Sequence, residues 1–130
     1  LRREIAMNPE TLPETLRTLS QDGNHMVRCD VASNPSTPPD AILTLSQDEY
    51  CGVRSHAAGN PSTPPEILTR MANDAQWGVR HRVSMHSSTP SHILAILSQD
   101  KDYAVRFEVI DNPHAPYGIW VDVSVKVRLF

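Results

Sequence analysis

Residues 48–73 read DEYCGVRSHAAGNPSTPPEILTRMAN, and these 26 residues decide the fold. Asp48 is placed to cap a short helix by accepting from the free amides of its first turn. Val53 and Ala57 lie four apart on one face, with Tyr50 three residues before Val53. Asn60-Pro61 ends that helix, because the residue before proline is pushed out of the helical region. Thr63-Pro64-Pro65-Glu66 then opens a second helix. Threonine is expected to cap it, proline is tolerated in the first turn, and Glu66 is expected to reach back in a capping box. Leu68 and Met71 supply the buried stripe of this second helix. Each helix is too short to be stable alone, so stacking must hold it.

The pattern recurs outward in both directions. Leu1, Val27, Val53, Val79 and Val105 share one phase, and Arg2, Arg28, Arg54, Arg80 and Arg106 the next. Asn8-Pro9, Asn34-Pro35, Asn60-Pro61 and Asn112-Pro113 recur in register, as do Asp22, Asp48, Asp74 and Asp100. The second-helix signal reappears as Thr37-Pro38-Pro39-Asp40, and its apolar stripe as Leu16 and Leu19, Ile42 and Leu45, and Leu94 and Leu97. A fixed period of this size is the mark of a solenoid, in which each layer buries its stripe against the next. The reading is therefore an all-α solenoid of two-helix repeats spanning residues 1–117, with copies starting near 1, 27, 53, 79 and 105. At the usual 8–10 Å between packed helices, five copies should extend roughly 40–50 Å. Copy four departs, with His86-Ser87 for Asn-Pro and Ser91-His92 for Pro-Glu. Copy five departs further, with Ala115 and Gly118 at the capping positions. There Ile119, Trp120 and Val123 keep the buried phases of a helix, while Val121, Val123, Val125, Val127 and Leu129 alternate like a strand. Residues 118–130 are read as a degenerate cap or junction, either a frayed final helix or an extended tail.

Units of the form Val-Arg-x-x-Val-Ala-x-Asn-Pro-x-Thr-Pro-Pro-Glu-x-Leu-x-x-Leu resemble the leucine-rich repeat variant, a bacterial repeat family. Val27 to Asp48 and Val53 to Asp74 carry the motif almost throughout. The resemblance implies a right-handed superhelix of α-helices alternating with 3₁₀ or short α-helices, with no sheet and no catalytic residues. Some members carry a cysteine-rich iron–sulfur module before the repeats; this chain lacks that cysteine cluster, so no cofactor is expected.

Composition narrows the function classes. The chain has 130 residues and a net charge of −3, so no overall basic field argues for nucleic acid or anionic lipid. Two cysteines make no disulfide framework, and reduced thiols in a cytoplasmic protein are the simpler reading. No apolar run approaches a membrane span, and no signal-peptide pattern opens the chain. The first residue is Leu1 rather than methionine, which is read as a domain of something longer. There is no glycine-rich phosphate loop, serine elbow or HExxH, so no enzyme activity is expected.

If the repeated residues serve packing, function lies where the copies differ. The arginine column has two readings: a cationic ladder for phosphates, or an internal ion-pair ladder with the aspartate column. One aspartate is available per arginine in the middle copies, which favours the internal ladder. The asparagine column reads as structural, satisfying stray backbone groups at the corners. Positions two before and two after the repeated valine point outward. They hold His25 and Cys29, Cys51 and Ser55, Trp77 and His81, then Tyr103 and Phe107. Trp77, His81, Tyr103 and Phe107, flanked by Arg80 and Arg106, form the expected partner-binding patch, since aromatics and arginine dominate binding hot spots. The alternative is that curvature of the array covers these rings. Trp77 and Tyr103 each precede an arginine by three, which permits cation–π contact. His25, Cys29 and Cys51 have a weak metal-ligand spacing, against the plainer reading of surface side chains. The functional reading is a protein–protein interaction scaffold. The alternative is a nucleic-acid-binding helical repeat using the arginine column. A helical-repeat enzyme acting on DNA bases ranks third, for want of an acid in a recognisable pocket motif.

Overall fold

A computed structural model describes residues 1–118. The expectations for residues 119–130, including the choice between helix and strand, lie outside the described residues. Among the described residues every regular element is an α-helix. The first helices of the five copies are α1 (Arg2–Met7), α3 (His25–Ser33), α5 (Cys51–Gly59), α7 (Trp77–Met85) and α9 (Tyr103–Asp111). The second helices of the first four copies are α2 (Pro13–Leu19), α4 (Pro39–Leu45), α6 (Pro65–Met71) and α8 (Ser91–Leu97). First helices pack side by side along the array, and each second helix fills the step to the next first helix. None of the described helices is long and apolar enough to cross a membrane.

The buried phases are those expected in copies two to five, whereas Leu1, which shares the phase, is exposed. Val27, Val53, Val79 and Val105 are sealed, and so are Val31, Ala57, Val83 and Val109 one turn later. Leu16, Ile42, Leu68 and Leu94 complete each layer from the second helices, while Leu19 is only partly buried. Full burial of such a side chain is worth about 1.5–3 kcal/mol. One layer thus supplies several kcal/mol, which a lone helix pair could not bury.

The asparagine column proves to be the rivet between layers. Asn60 Nδ2 donates to the carbonyls of Ala32 at 2.7 Å and Asn34 at 2.9 Å, both in the preceding copy. Its Oδ1 accepts from Ser62 N–H at 2.8 Å, which holds the corner. Asn34 and Asn112 repeat this arrangement. Where His86 takes the place of asparagine, its Nδ1 accepts from Ser88 N–H at 3.0 Å. The proton must then sit on Nε2, which donates to Asn60 O at 2.7 Å. One imidazole so reproduces one of the two inter-copy bonds.

The capping assignments need correction. Thr37 and Thr63 do not cap the second helices, which begin at Pro38 and Pro64 as N-caps with no side-chain cap bond. Both hydroxyls turn inward and donate at 2.6 Å, Thr37 to Val31 O and Thr63 to Ala57 O. These carbonyls lie in the last turn of the first helix, buried where no water can serve them, whereas the second-helix amides start at the surface. Glu66 and Asp40 lie in the first turn without closing a capping box, and Asp40 instead holds Arg17 at 2.9 Å. Nor does Asp48 cap α5. It accepts from the N–H of Tyr50, the N-cap residue itself. Tyr50 is exposed, and its ring stacks on His25 with centroids 4.4 Å apart.

Candidate partner-binding surface

The arginine column is an internal ladder. Arg28 Nε donates to Asp48 Oδ2 at 2.7 Å and Nη2 to Oδ1 at 3.2 Å, a bidentate fork. Arg54 with Asp74 and Arg80 with Asp100 repeat it, and Arg2 meets Asp22 at 2.8 Å. Each aspartate lies 20 residues after its arginine, at the start of the next copy. The same guanidinium reaches back through Nη1 to the carbonyl of the aspartate that opens its own copy, as from Arg54 to Asp48 O at 2.8 Å. Burial pushes the Asp48 carboxyl up. Hydrogen bonds from Arg28 and Tyr50 N–H, and the charges of Arg28 and Arg54, outweigh burial and hold it below the usual range. One carboxylate thereby ties two copies and a loop together.

This ladder removes Arg80 from the outer surface. It is 6% exposed and committed to Asp100, so it is not a flank of the aromatic patch. Of the two expected cation–π contacts, that of Tyr103 forms, with Arg106 5.9 Å from its ring centre, whereas Arg80 is turned to Asp100 instead of Trp77; a further contact places Arg28 5.7 Å from the Tyr50 ring centre. A hollow lined by Ala72, Asp74, Arg80, Leu97 and Lys101 contains a guanidinium already neutralised, which leaves little for an anion.

The outer face of α7 and α9 carries the rings. Trp77, Tyr103 and Phe107 are 50%, 47% and 41% exposed, and His81 is half-buried. Trp77 meets His81 edge-on at 5.9 Å, and Tyr103 lies tilted on Phe107 at 5.8 Å, each pair spaced by one helical turn. On this face the two helices are also linked by His81 Nε2 and Glu108 Oε1 at 3.5 Å. Glu108 was not among the residues singled out in the sequence. Its signal is a spacing of 27 residues, the same that joins Arg3 to Asp30 at 2.7 Å across α1 and α3. Beside Trp77 an open hollow of about 280 Å³ runs between the starts of α5 and α7, lined by Cys51, Gly52, Ser55, Gln76 and Gly78. At Gly52 and Gly78, both in its lining, an added Cβ would meet no neighbouring atom within 4 Å.

His25, Cys29 and Cys51 do not converge. Among the described residues no three histidine, cysteine or acidic side chains are grouped to hold a metal. Cys51 is exposed, His25 is stacked on Tyr50, and burial pushes the Cys29 thiol up, away from the thiolate a metal would need.

Side-by-side first helices, riveted corners and outward variable positions define the class: an α-helical repeat solenoid. Residues 26–49 and 52–76 match the family model for the leucine rich repeat variant. A solved structure of "a leucine-rich repeat variant with a novel repetitive protein structural motif" is similar with a TM-score of 0.67 at 20% sequence identity. The match covers 95% of this chain and 64% of that one, so the chain spans less than two thirds of that protein's length. No curated protein matches the sequence. The two matched units are thus similar to leucine-rich repeat variant repeats, and the solved structure shares the fold of the array.

Proposed function

We propose that this array is a protein-binding scaffold that performs no chemical step, and that its partner seats on the outer face of α7 and α9. The observation that carries the reading is the exposure of Trp77, Tyr103 and Phe107 on adjacent helices. Their phases hold His25, Cys29, Cys51 and Ser55 in earlier copies, so the repeat does not demand aromatics there. Large rings held on rigid helices give contact area at small entropic cost, which is why they dominate hot spots. The hollow beside Trp77 offers room for one further side chain. The nucleic-acid alternative is weakened, because Arg2, Arg28, Arg54 and Arg80 already hold aspartates and have little counterion release to offer. The test is Trp77→Ala and Tyr103→Ala, measured against a partner isolated by crosslinking to the wild-type chain. Binding should fall about 30-fold or more per residue, the hot-spot range of about 2 kcal/mol, with an almost unchanged melt. Binding that survives both substitutions but collapses between 50 and 200 mM salt would instead support the nucleic-acid reading.

A further inference from the structure

Neighbouring first helices meet along the outer face, and polar side-chain pairs close the steps between most of them. Arg3 holds Asp30 at 2.7 Å between α1 and α3, Ser33 Oγ meets His56 Nδ1 at 2.9 Å between α3 and α5, and His81 faces Glu108 between α7 and α9. The step between α5 and α7 differs. There Arg82 reaches back from α7 over Gly59, so closely that a Cβ on Gly59 would collide with Arg82 Nη1. Gly59 has no positive φ to account for it. Its missing side chain is what seats the guanidinium. Arg82 is exposed, and among the described residues neither a carboxylate nor a hydrogen-bond acceptor meets it. The acids of the adjoining steps are already engaged, Asp30 by Arg3 and Glu108 by His81. The same step holds the hollow of about 280 Å³ beside Trp77 and, at its far end, a second of about 240 Å³ lined by Gly59, Pro61, Met85, His86 and Ser87. On α7, Arg82 stands between the residues that line the two, and no described acid lines either.

We propose that the α5–α7 step is a slot for an extended segment of the partner, which sets an acidic side chain on Arg82 and an apolar one in the hollow beside Trp77. Charge complementarity gives the occupant. An exposed, uncompensated guanidinium offers a planar fork to a carboxylate, and the flanking hollows hold no acid to repel it. The chain supplies the precedent, since a carboxylate closes the outer steps at Arg3 and His81. The spacing also follows from the fold. Gly52 in the first hollow and Gly59 under the guanidinium are about 10 Å apart along α5, at 1.5 Å per residue. That is the span of about three residues of extended chain. This inference rests on the protein-binding reading and assigns the partner's chemistry at one side of that surface.

The experiment titrates the full chain and follows the Trp77 indole N–H and the Arg82 Nε–H by NMR. The probes are acetyl-Leu-Ala-Ala-Glu-Ala-Ala-Leu-amide, the same peptide with glutamine for glutamate, and inorganic phosphate. Leucine three residues to either side of the acid serves either chain direction. The glutamyl peptide should move both resonances, and the glutaminyl peptide should bind about threefold more weakly, the scale of one exposed charge pair. Arg82→Gln should make the two peptides equal. Gly59→Ala keeps the charge but pushes the guanidinium off its seat, so it should weaken the glutamyl peptide alone and leave the melt almost unchanged. The proposal is overturned if the peptides bind the wild-type chain equally, or if the glutamyl peptide moves neither resonance at about 10 mM. It is also overturned if the preference survives Arg82→Gln, or if phosphate at the same concentration moves Arg82 as far, which would mark a bare anion site without a slot. Tyr103 lies on α9, outside the slot, and judges the face separately. Partner binding lost in Tyr103→Ala with no preference between the peptides would keep the partner face and remove the slot.

Discussion

Replacing Asn60 by alanine removes the rivet between copies two and three. Asn60 is 1% exposed, so water cannot take over its bonds. The Ala32 carbonyl loses its 2.7 Å donor and has no other hydrogen bond among the described residues. The Asn34 carbonyl loses one donor but keeps Thr37 N–H at 3.0 Å. Ser62 N–H loses its acceptor at a partly exposed corner. A buried orphaned acceptor costs about 1–3 kcal/mol and each ordinary lost bond about 0.5–1.5 kcal/mol. Together they come to about 3 kcal/mol, or a fall in Tm of about 12 °C for a domain of this size. Asn8 is the internal control. Its phase in the repeat is the same, but the residue is exposed and its side chain accepts only from Glu10 N–H at 2.9 Å. Asn8→Ala should cost less than about 1 kcal/mol. Urea denaturation followed by far-ultraviolet circular dichroism measures both, with the slope m unchanged if unfolding remains cooperative. If the two variants fall within about 1 kcal/mol of each other, the asparagine column does not hold the layers together.

Thr63→Asp, which improves a helix N-cap by residue type, should nevertheless destabilise by about 1–3 kcal/mol, because a carboxylate cannot donate to Ala57 O; an unchanged or raised Tm would restore the capping role. The depressed Asp48 carboxyl contributes stability that is complete above its unfolded value, near 3.9, and is lost as pH falls through the lower folded value. Urea midpoints should therefore drop below about pH 4, and Asp48→Asn should flatten part of that drop; an identical profile would refute the linkage. Burial, reinforced by the charge of Arg82 and opposed by that of Asp30, lowers the pKa of His56. The folded state then resists protonation, so stability is present above the unfolded value of about 6.5 and declines as pH falls below it. His56→Gln should remove that decline, and its persistence in the variant would assign it elsewhere.

The solenoid was legible in the sequence because a repeat writes its packing several times. Val27, Val53, Val79 and Val105 name the core phase, and Asn60-Pro61 marks the end of a helix through backbone sterics that need no tertiary contact. Even the arginine–aspartate ladder could be anticipated, since matching columns of opposite charge must meet if the copies stack. What the chain alone could not decide was the direction in which a side chain bonds. Thr63 next to Pro64-Pro65 has every local feature of a cap, yet its hydroxyl serves Ala57 O, because only the packed layer makes that carbonyl dry. Arg80 precedes Asp100 by 20 residues and follows Trp77 by three; the stack, by burying the ion pair, selects the first partner. Glu108 reaches His81 only because α9 lies beside α7. Local sterics and periodicity are properties of the chain, whereas desolvation belongs to the stack, and desolvation chooses which of several available hydrogen bonds is made.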